Sequence, residues 1–226
     1  MVMKDIKDVF SVSIKEGKLL YRLAQEARRV IVEIGSWKGY STIWLANGSN
    51  AGQKARVYAI DTFAGDIHSL VDGQGDTYEE FKNNIAATGV HDIVVPIVSS
   101  SSDAVKEWVL RIDLLWIDGD HDDIEYDFNA WYPYLKFGGL VALHDTVYSP
   151  SMMPYKVAIS KIYKSSHFTA IKRVGCLTYA RKVRRLSIWD KILNTVALYR
   201  RYVYQAFIPY YTKAQVLGEK IIKRMR

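Results

Sequence analysis

At 226 residues, 49% of them hydrophobic, the chain can bury one α/β core but is too short for two full domains. Its one cysteine, Cys176, rules out an internal disulfide, and no apolar run approaches the roughly 20 residues of a membrane-spanning helix. The net charge of +7 is uneven: residues 181–226 hold twelve Lys/Arg against two Asp/Glu, and the remainder is slightly acidic, so the basic character belongs to the tail alone. With no apolar, signal-like opening stretch, a cytoplasmic setting is expected.

In chain order, residues 13–28 read as an amphipathic helix, and 1–28 as an N-terminal helical cover for a sheet. From residue 29 short β-branched runs alternate with helical patterns, as in a parallel sheet with crossover helices. Strands are expected over 30–34, 56–60, 93–98, 114–117 and 140–143, and helices over 41–46, 77–87, 102–108 and 124–135. Residues 153–164 read as a helix, and 170–174 with 177–180 as a hairpin around Gly175. The fold class is therefore α/β: a mostly parallel seven-stranded sheet over 29–180, closed by an antiparallel C-terminal hairpin. A basic helical extension follows over 181–226, and Pro209 is expected to split it into two helices.

The first strand runs into Val32-Glu33-Ile34-Gly35-Ser36-Trp37-Lys38-Gly39. Gly35 and Gly39 remove side chains where backbone must approach a ligand, and a helix beginning near Tyr40 offers free N–H groups to an anion. Glu33 supplies an acceptor for a cationic amino group. The spacing differs from the Gly-x-Gly-x-x-Gly that packs on a pyrophosphate, which argues against a dinucleotide. The second strand ends on Asp61, where a carboxylate can accept the hydroxyls of a ribose. The glycine-containing loop 62–77, with Asp66 and His68, reads as a lid that contacts substrate.

The apolar run 114–117 delivers Asp118, Asp120, His121, Asp122 and Asp123 into one loop, and the run 140–143 delivers His144 and Asp145. Polar clusters after buried strands belong at the carboxyl edge of a parallel sheet, where open α/β folds bind ligands. Asp122 or Asp123 is expected to cap the helix that begins at Ile124. Asp118, His144 and Asp145 could hold Mg²⁺ or a similar ion and so acidify a substrate hydroxyl. Alternatively, His121 or His144 serves directly as general base.

These motifs, together with Gly138-Gly139-Leu140-Val141-Ala142-Leu143-His144-Asp145, make residues 29–180 resemble the class I S-adenosylmethionine-dependent methyltransferases. Within them the chain is similar to the sugar and small-molecule O-methyltransferases. The resemblance implies a Rossmann-like sheet and a cofactor pocket of Glu33, Gly35, Ser36, Gly39, Ser41, Asp61, Thr62, Ser100, Ser101 and Asp118. It also implies Asp118, His144 and Asp145 near the transferred methyl. In the metal-dependent members of the wider group, acids at the ends of the fourth and fifth strands hold a divalent ion; here His144 stands where many of those have an acid.

In the tail, aromatics from Trp189 through Tyr211 interleave with cations. Such a pattern over 184–226 suits an anionic membrane surface, which would make the protein membrane-peripheral. It equally suits packing on the core or in a homo-oligomer. Nucleic acid ranks lower, because no recognised RNA-binding module precedes the tail. The expected function is O-methylation of a sugar, glycolipid or other small-molecule hydroxyl. The alternatives are an RNA methyltransferase using the tail and a non-catalytic cofactor-binding scaffold.

Overall fold

A computed structural model of the chain describes residues 12–65 and 76–224, with side chains of the last helix described as far as residue 207. Among these residues there are seven strands: β1 (Val30–Ile34), β2 (Arg56–Asp61), β3 (Val94–Val98), β4 (Ile112–Ile117), β5 (Leu135–Leu143), β6 (Phe168–Val174) and β7 (Leu177–Lys182). They form one sheet in the order β3-β2-β1-β4-β5-β7-β6, in which β1 to β5 are parallel and β7 runs antiparallel to both β5 and β6. The order reverses between β1 and β4, so a crevice opens at the carboxyl ends of these two strands.

Both central strands, β1 and β4, are buried along their whole length, as continuous apolar runs covered on two faces require. On one face lie α1 (Ile14–Glu26), α2 (Tyr40–Ala51) and α3 (Tyr78–Ala87), whose Leu20, Ile43 and Phe81 pack in one cluster with Ile31, Val57 and Trp116. The other face is covered by α5 (Ile124–Trp131), which follows the single-turn α4 (Ser101–Ala104), and by α6 (Met153–Val157) with the π-helical turns of Ala158–Tyr163. There Phe128, Trp131, Ile162 and Phe168 pack against Val32, Leu115 and Val141.

The expected elements are present, with shifted ends. The helix expected over 124–135 stops at Trp131 because Pro133 introduces a 3₁₀ turn, and the fifth strand starts early, at Leu135. The expected helix over 102–108 is only the α4 turn plus a 3₁₀ turn, Val105–Glu107. Two helices were expected in the extension, but the backbone forms one, α7 (Ile188–Arg224), which passes through Pro209. A single proline deletes one N–H and crowds the carbonyl four residues back; this bends a long cooperative helix without ending it.

The amino ends of β1 and β4 are locked together by one side chain. Asp113 accepts hydrogen bonds from the backbone N–H groups of Arg29 and Val30, both at 2.9 Å, and pairs with Lys136 on β5. It is 6% exposed, so removing the carboxylate leaves buried donors without a partner. Asp113→Ala is expected to cost about 3 kcal/mol in urea denaturation, and Asp113→Asn, which keeps one acceptor, roughly half of that.

Candidate active site

Three strand ends meet at the crevice. Beyond β1, Gly35 (φ +83°) and Gly39 (φ +86°) hold left-handed conformations, and Gly39 caps α2. A Cβ at Gly35 would lie 2.3 Å from the Asp118 carbonyl oxygen, so the turn packs directly on the end of β4.

Glu33 is completely buried. One of its oxygens accepts from Ser36 Oγ (3.0 Å) and from Thr42 Oγ1, while Oε1 is buried with no hydrogen-bond partner among the described residues. Burial pushes its pKa up to about 7, against the opposing effect of the neighbouring Ser41, Thr42 and Ser36 hydroxyls. A cationic donor brought by a ligand would satisfy Oε1 and favour the charged form, and the amino group of S-adenosylmethionine is such a donor.

Asp61 sits beside this turn in a different state. Its Oδ2 accepts from the Ser36 and Trp37 N–H groups, both at 2.8 Å, and its Oδ1 accepts from Phe63 N–H at 2.7 Å. Three of about four acceptor positions are thus taken by backbone. This leaves one acceptor position open beside the turn. The turn itself depends on the carboxylate, because Trp37 (φ +43°) and Phe63 (φ +55°) are held in left-handed conformations on either side of it.

At the end of β3, Ser100 caps α4 by accepting from Asp103 N–H, and Ser101 Oγ accepts from Trp131 Nε1 at 2.7 Å. Thr62 is exposed, and its Oγ1 accepts from Ala64 N–H. Asp66 and His68 lie outside the described residues. Asp123 occupies the N-cap position of α5 but makes no side-chain capping bond, and Asp120 instead accepts from Asp122 N–H at 2.9 Å.

The ends of β4 and β5 bring together Asp118, His121, His144 and Asp145. His144 Nδ1 lies 3.0 Å from Asp118 Oδ1 and 3.3 Å from Asp145 Oδ1, and its Nε2 lies 3.7 Å from Glu16 Oε1 on α1. Burial alone would discharge the imidazole, but the surrounding Asp118, Asp145 and Glu16 carboxylates outweigh it and hold His144 protonated far above the usual histidine range. His144 thus faces carboxylates on both sides of its ring, which leaves His121 the better placed of the two histidines to accept a proton.

His121 is placed differently. Its Nε2 lies 2.8 Å from Asp145 Oδ2, and 42% of its side chain is exposed. Asp145 thus joins both histidines, in a left-handed conformation with φ +53°. This is the arrangement of a base held by an orienting carboxylate.

The ligand atoms of Asp118, His144 and Asp145 all lie within 4.8 Å of one another, close enough to hold one ion. The fit is conditional, because the Nδ1 proton of His144 points into the same place. A cation and that proton are alternative occupants. One imidazole nitrogen with two carboxylate oxygens also suits manganese, iron or zinc better than Mg²⁺, which favours an all-oxygen shell.

Glu16 belongs to this cluster although nothing around it in the sequence suggests chemistry. It accepts Ser13 N–H (2.8 Å) and Ser13 Oγ–H (2.6 Å) at the start of α1, and Cys176 N–H (2.6 Å) in the β6–β7 turn. Burial works against its charge, yet His144 and these donors hold its pKa down at about 2. Its one sequence signal is the capping spacing Ser13-x-x-Glu16. A cavity of about 620 Å³ lined by Gln25, Arg28, Lys136 and Arg181 lies near Asp113 at the opposite, amino edge of the sheet, away from these strand ends.

A methyltransferase-domain family model matches residues 32–146, from within β1 to just past Asp145. The chain belongs to the class I S-adenosylmethionine-dependent methyltransferases. Its similarity to the catechol O-methyltransferase of Mycobacterium tuberculosis is 33% identity over 140 residues, or 61% of this chain and 57% of that protein, so the chain spans little more than half of its relative. Two solved structures share the methyltransferase fold. The Bacillus cereus O-methyltransferase in complex with SAH has a TM-score of 0.59 at 22% identity, covering 77% of this chain and 84% of that one. The O-methyltransferase TomG of Streptomyces achromogenes in complex with SAM has a TM-score of 0.58 at 22% identity, covering 76% and 81%.

Glu33 gives this methyltransferase a measurable signature. Its pKa is raised from 4.5 to about 7 on folding, so the ligand-free protein loses stability as pH rises through that window and carries the full penalty above it. Glu33→Gln is expected to stabilise the ligand-free protein by about 3 kcal/mol at pH 8 and by almost nothing at pH 4. Thermal or urea unfolding across the range checks this, and a pH-independent difference would contradict it.

Proposed function

We propose that this chain is an O-methyltransferase that transfers the methyl group of S-adenosylmethionine to a hydroxyl of a small molecule, with a sugar or glycolipid as the favoured acceptor class and His121 as the general base. The observation that carries this reading is the 2.8 Å contact between His121 Nε2 and Asp145 Oδ2 at the carboxyl edge of β4 and β5.

S-adenosylmethionine supplies an electrophilic methyl on a sulfonium, which is transferred by in-line displacement. Most of the rate therefore comes from alignment, and a positioned base adds to it. Glu33 receives the cationic amino group, Asp61 keeps the turn open and has one acceptor position for the ribose, and Gly35 lets the backbone come close. Asp145 orients His121, whose partly exposed ring accepts the acceptor's hydroxyl proton through its other nitrogen. His144 keeps Asp118 and Asp145 in place and offsets their charge next to a cationic cofactor.

A second reading uses the three donor atoms that lie within 4.8 Å. Asp118, His144 and Asp145 would hold a divalent ion, which lowers the pKa of a bound hydroxyl. Chelation separates the two: activity that survives EDTA supports the His121 route, whereas loss restored by Mn²⁺ better than by Mg²⁺ supports the ion.

His121→Ala is expected to lower turnover by about 10²- to 10⁴-fold while leaving calorimetric affinity for S-adenosylhomocysteine unchanged. Asp145→Asn should lower turnover in the same direction, because the ring loses its orienting charge. Turnover of His121→Ala within about threefold of wild type would remove His121 from the mechanism.

A further inference from the structure

The helix α7 grips the core through three polar side chains, with Ala197 and Leu198 packed between them. Asn194, 6% exposed, donates to the Phe168 carbonyl at 2.6 Å. Arg201, 2% exposed, donates from Nη2 to the Thr146 carbonyl at 2.6 Å and lies over the Tyr155 ring. Gln205 donates to the Tyr148 carbonyl at 3.0 Å. These residues recur at seven and four positions, so they share one face, and that face docks on β6 and on the segment that follows Asp145.

The diametrically opposite face carries Trp189, Ile192, Val196, Tyr199 and Val203 at spacings of three and four. Each is between 42% and 71% exposed. Five large apolar side chains in a row, over about four turns of helix, form a contiguous patch rather than scattered surface residues. The same spacing continues in the sequence through Tyr210, Ala214, Leu217 and Ile221. Alongside lie the exposed Arg184, Arg185, Lys191 and Arg200. The one acid in this stretch, Asp190, is taken up by Ser187 and Thr169. No helix among the described residues is long and apolar enough to cross a membrane.

We infer that the outer face of α7 docks onto an anionic lipid surface, with Trp189, Ile192, Val196, Tyr199 and Val203 sunk at the headgroup boundary and the flanking cations on the lipid phosphates. An apolar stripe bordered by Lys and Arg, on a helix that does not span, is the arrangement such surfaces attract. A second copy of the chain fits less well, since a two-fold contact would set the same cations against each other. Single-stranded nucleic acid fits less well too: the stripe is convex and largely aliphatic, without the successive aromatic platforms on which bases stack. The inference concerns binding alone and stands or falls independently of the His121 mechanism.

Sedimentation of the full-length protein with phosphatidylcholine vesicles, with and without about 30% phosphatidylglycerol, tests it. The expected result is recovery with the anionic vesicles that falls about tenfold in Trp189→Glu/Val196→Glu/Val203→Glu and drops as salt rises. That variant should keep the wild-type melting temperature and S-adenosylhomocysteine affinity; Arg184→Gln/Lys191→Gln/Arg200→Gln gives a second, conservative check and should also reduce recovery. Equal recovery with neutral and anionic vesicles, or no effect of either variant, would overturn the inference. So would a dimer in light scattering that the triple glutamate variant dissociates, or a salt-sensitive affinity for oligonucleotides without any for vesicles.

Discussion

Three carboxylates and one imidazole share a buried space at the carboxyl edge of the sheet, and the rest of the site is arranged around them. Unpaired, Glu16, Asp118 and Asp145 could not all remain ionised there, since each buried charge without a partner is strongly destabilising. His144 lies within 3.0 to 3.7 Å of all three and offsets part of their charge, while burial still pushes the Asp118 carboxyl up. Because Glu16 also binds the start of α1 and the Cys176 N–H, one electrostatic group ties α1, β4, β5 and the β6–β7 turn into a fixed relation. The left-handed conformation at Asp145 persists because both of its oxygens are held, one toward each histidine.

The two acids of the cofactor turn divide their work along the same line. Asp61 is satisfied by three backbone N–H groups and acts chiefly as a clamp on the turn. Glu33 is left with one buried oxygen unpartnered and a pKa pushed up to about 7. The first carboxylate stabilises the fold, whereas the second, when ionised, destabilises it.

Much of this was legible in the sequence because strand period and strand ends are local properties. Apolar runs closing on Glu33, Asp61, Asp118 and Asp145 place all four acids on one sheet edge once the sheet is parallel. What the sequence could not separate is His121 from His144, since the distinction lies in which ring nitrogens face carboxylates across 24 to 128 residues of chain. Glu16 was hidden for a similar reason: its capping role is local, but its contact with Cys176 spans 160 residues. The continuity of α7 through Pro209 was also missed, because a proline's local preference is outweighed by the hydrogen-bonded turns on either side of it.

The extension is held to the sheet mainly by polar contacts. β6 is an edge strand, and α7 covers it with amide and guanidinium groups aimed at backbone carbonyls as well as with Ala197 and Leu198, which pack on the core. Anchoring by Asn194, Arg201 and Gln205, with Ala197 and Leu198 packed between them, leaves the larger apolar residues Trp189, Ile192, Val196, Tyr199 and Val203 outward. The inner face grips the Thr146 and Tyr148 carbonyls, one and three residues beyond Asp145. Through these two contacts the position of α7 is coupled to the segment that follows the end of β5.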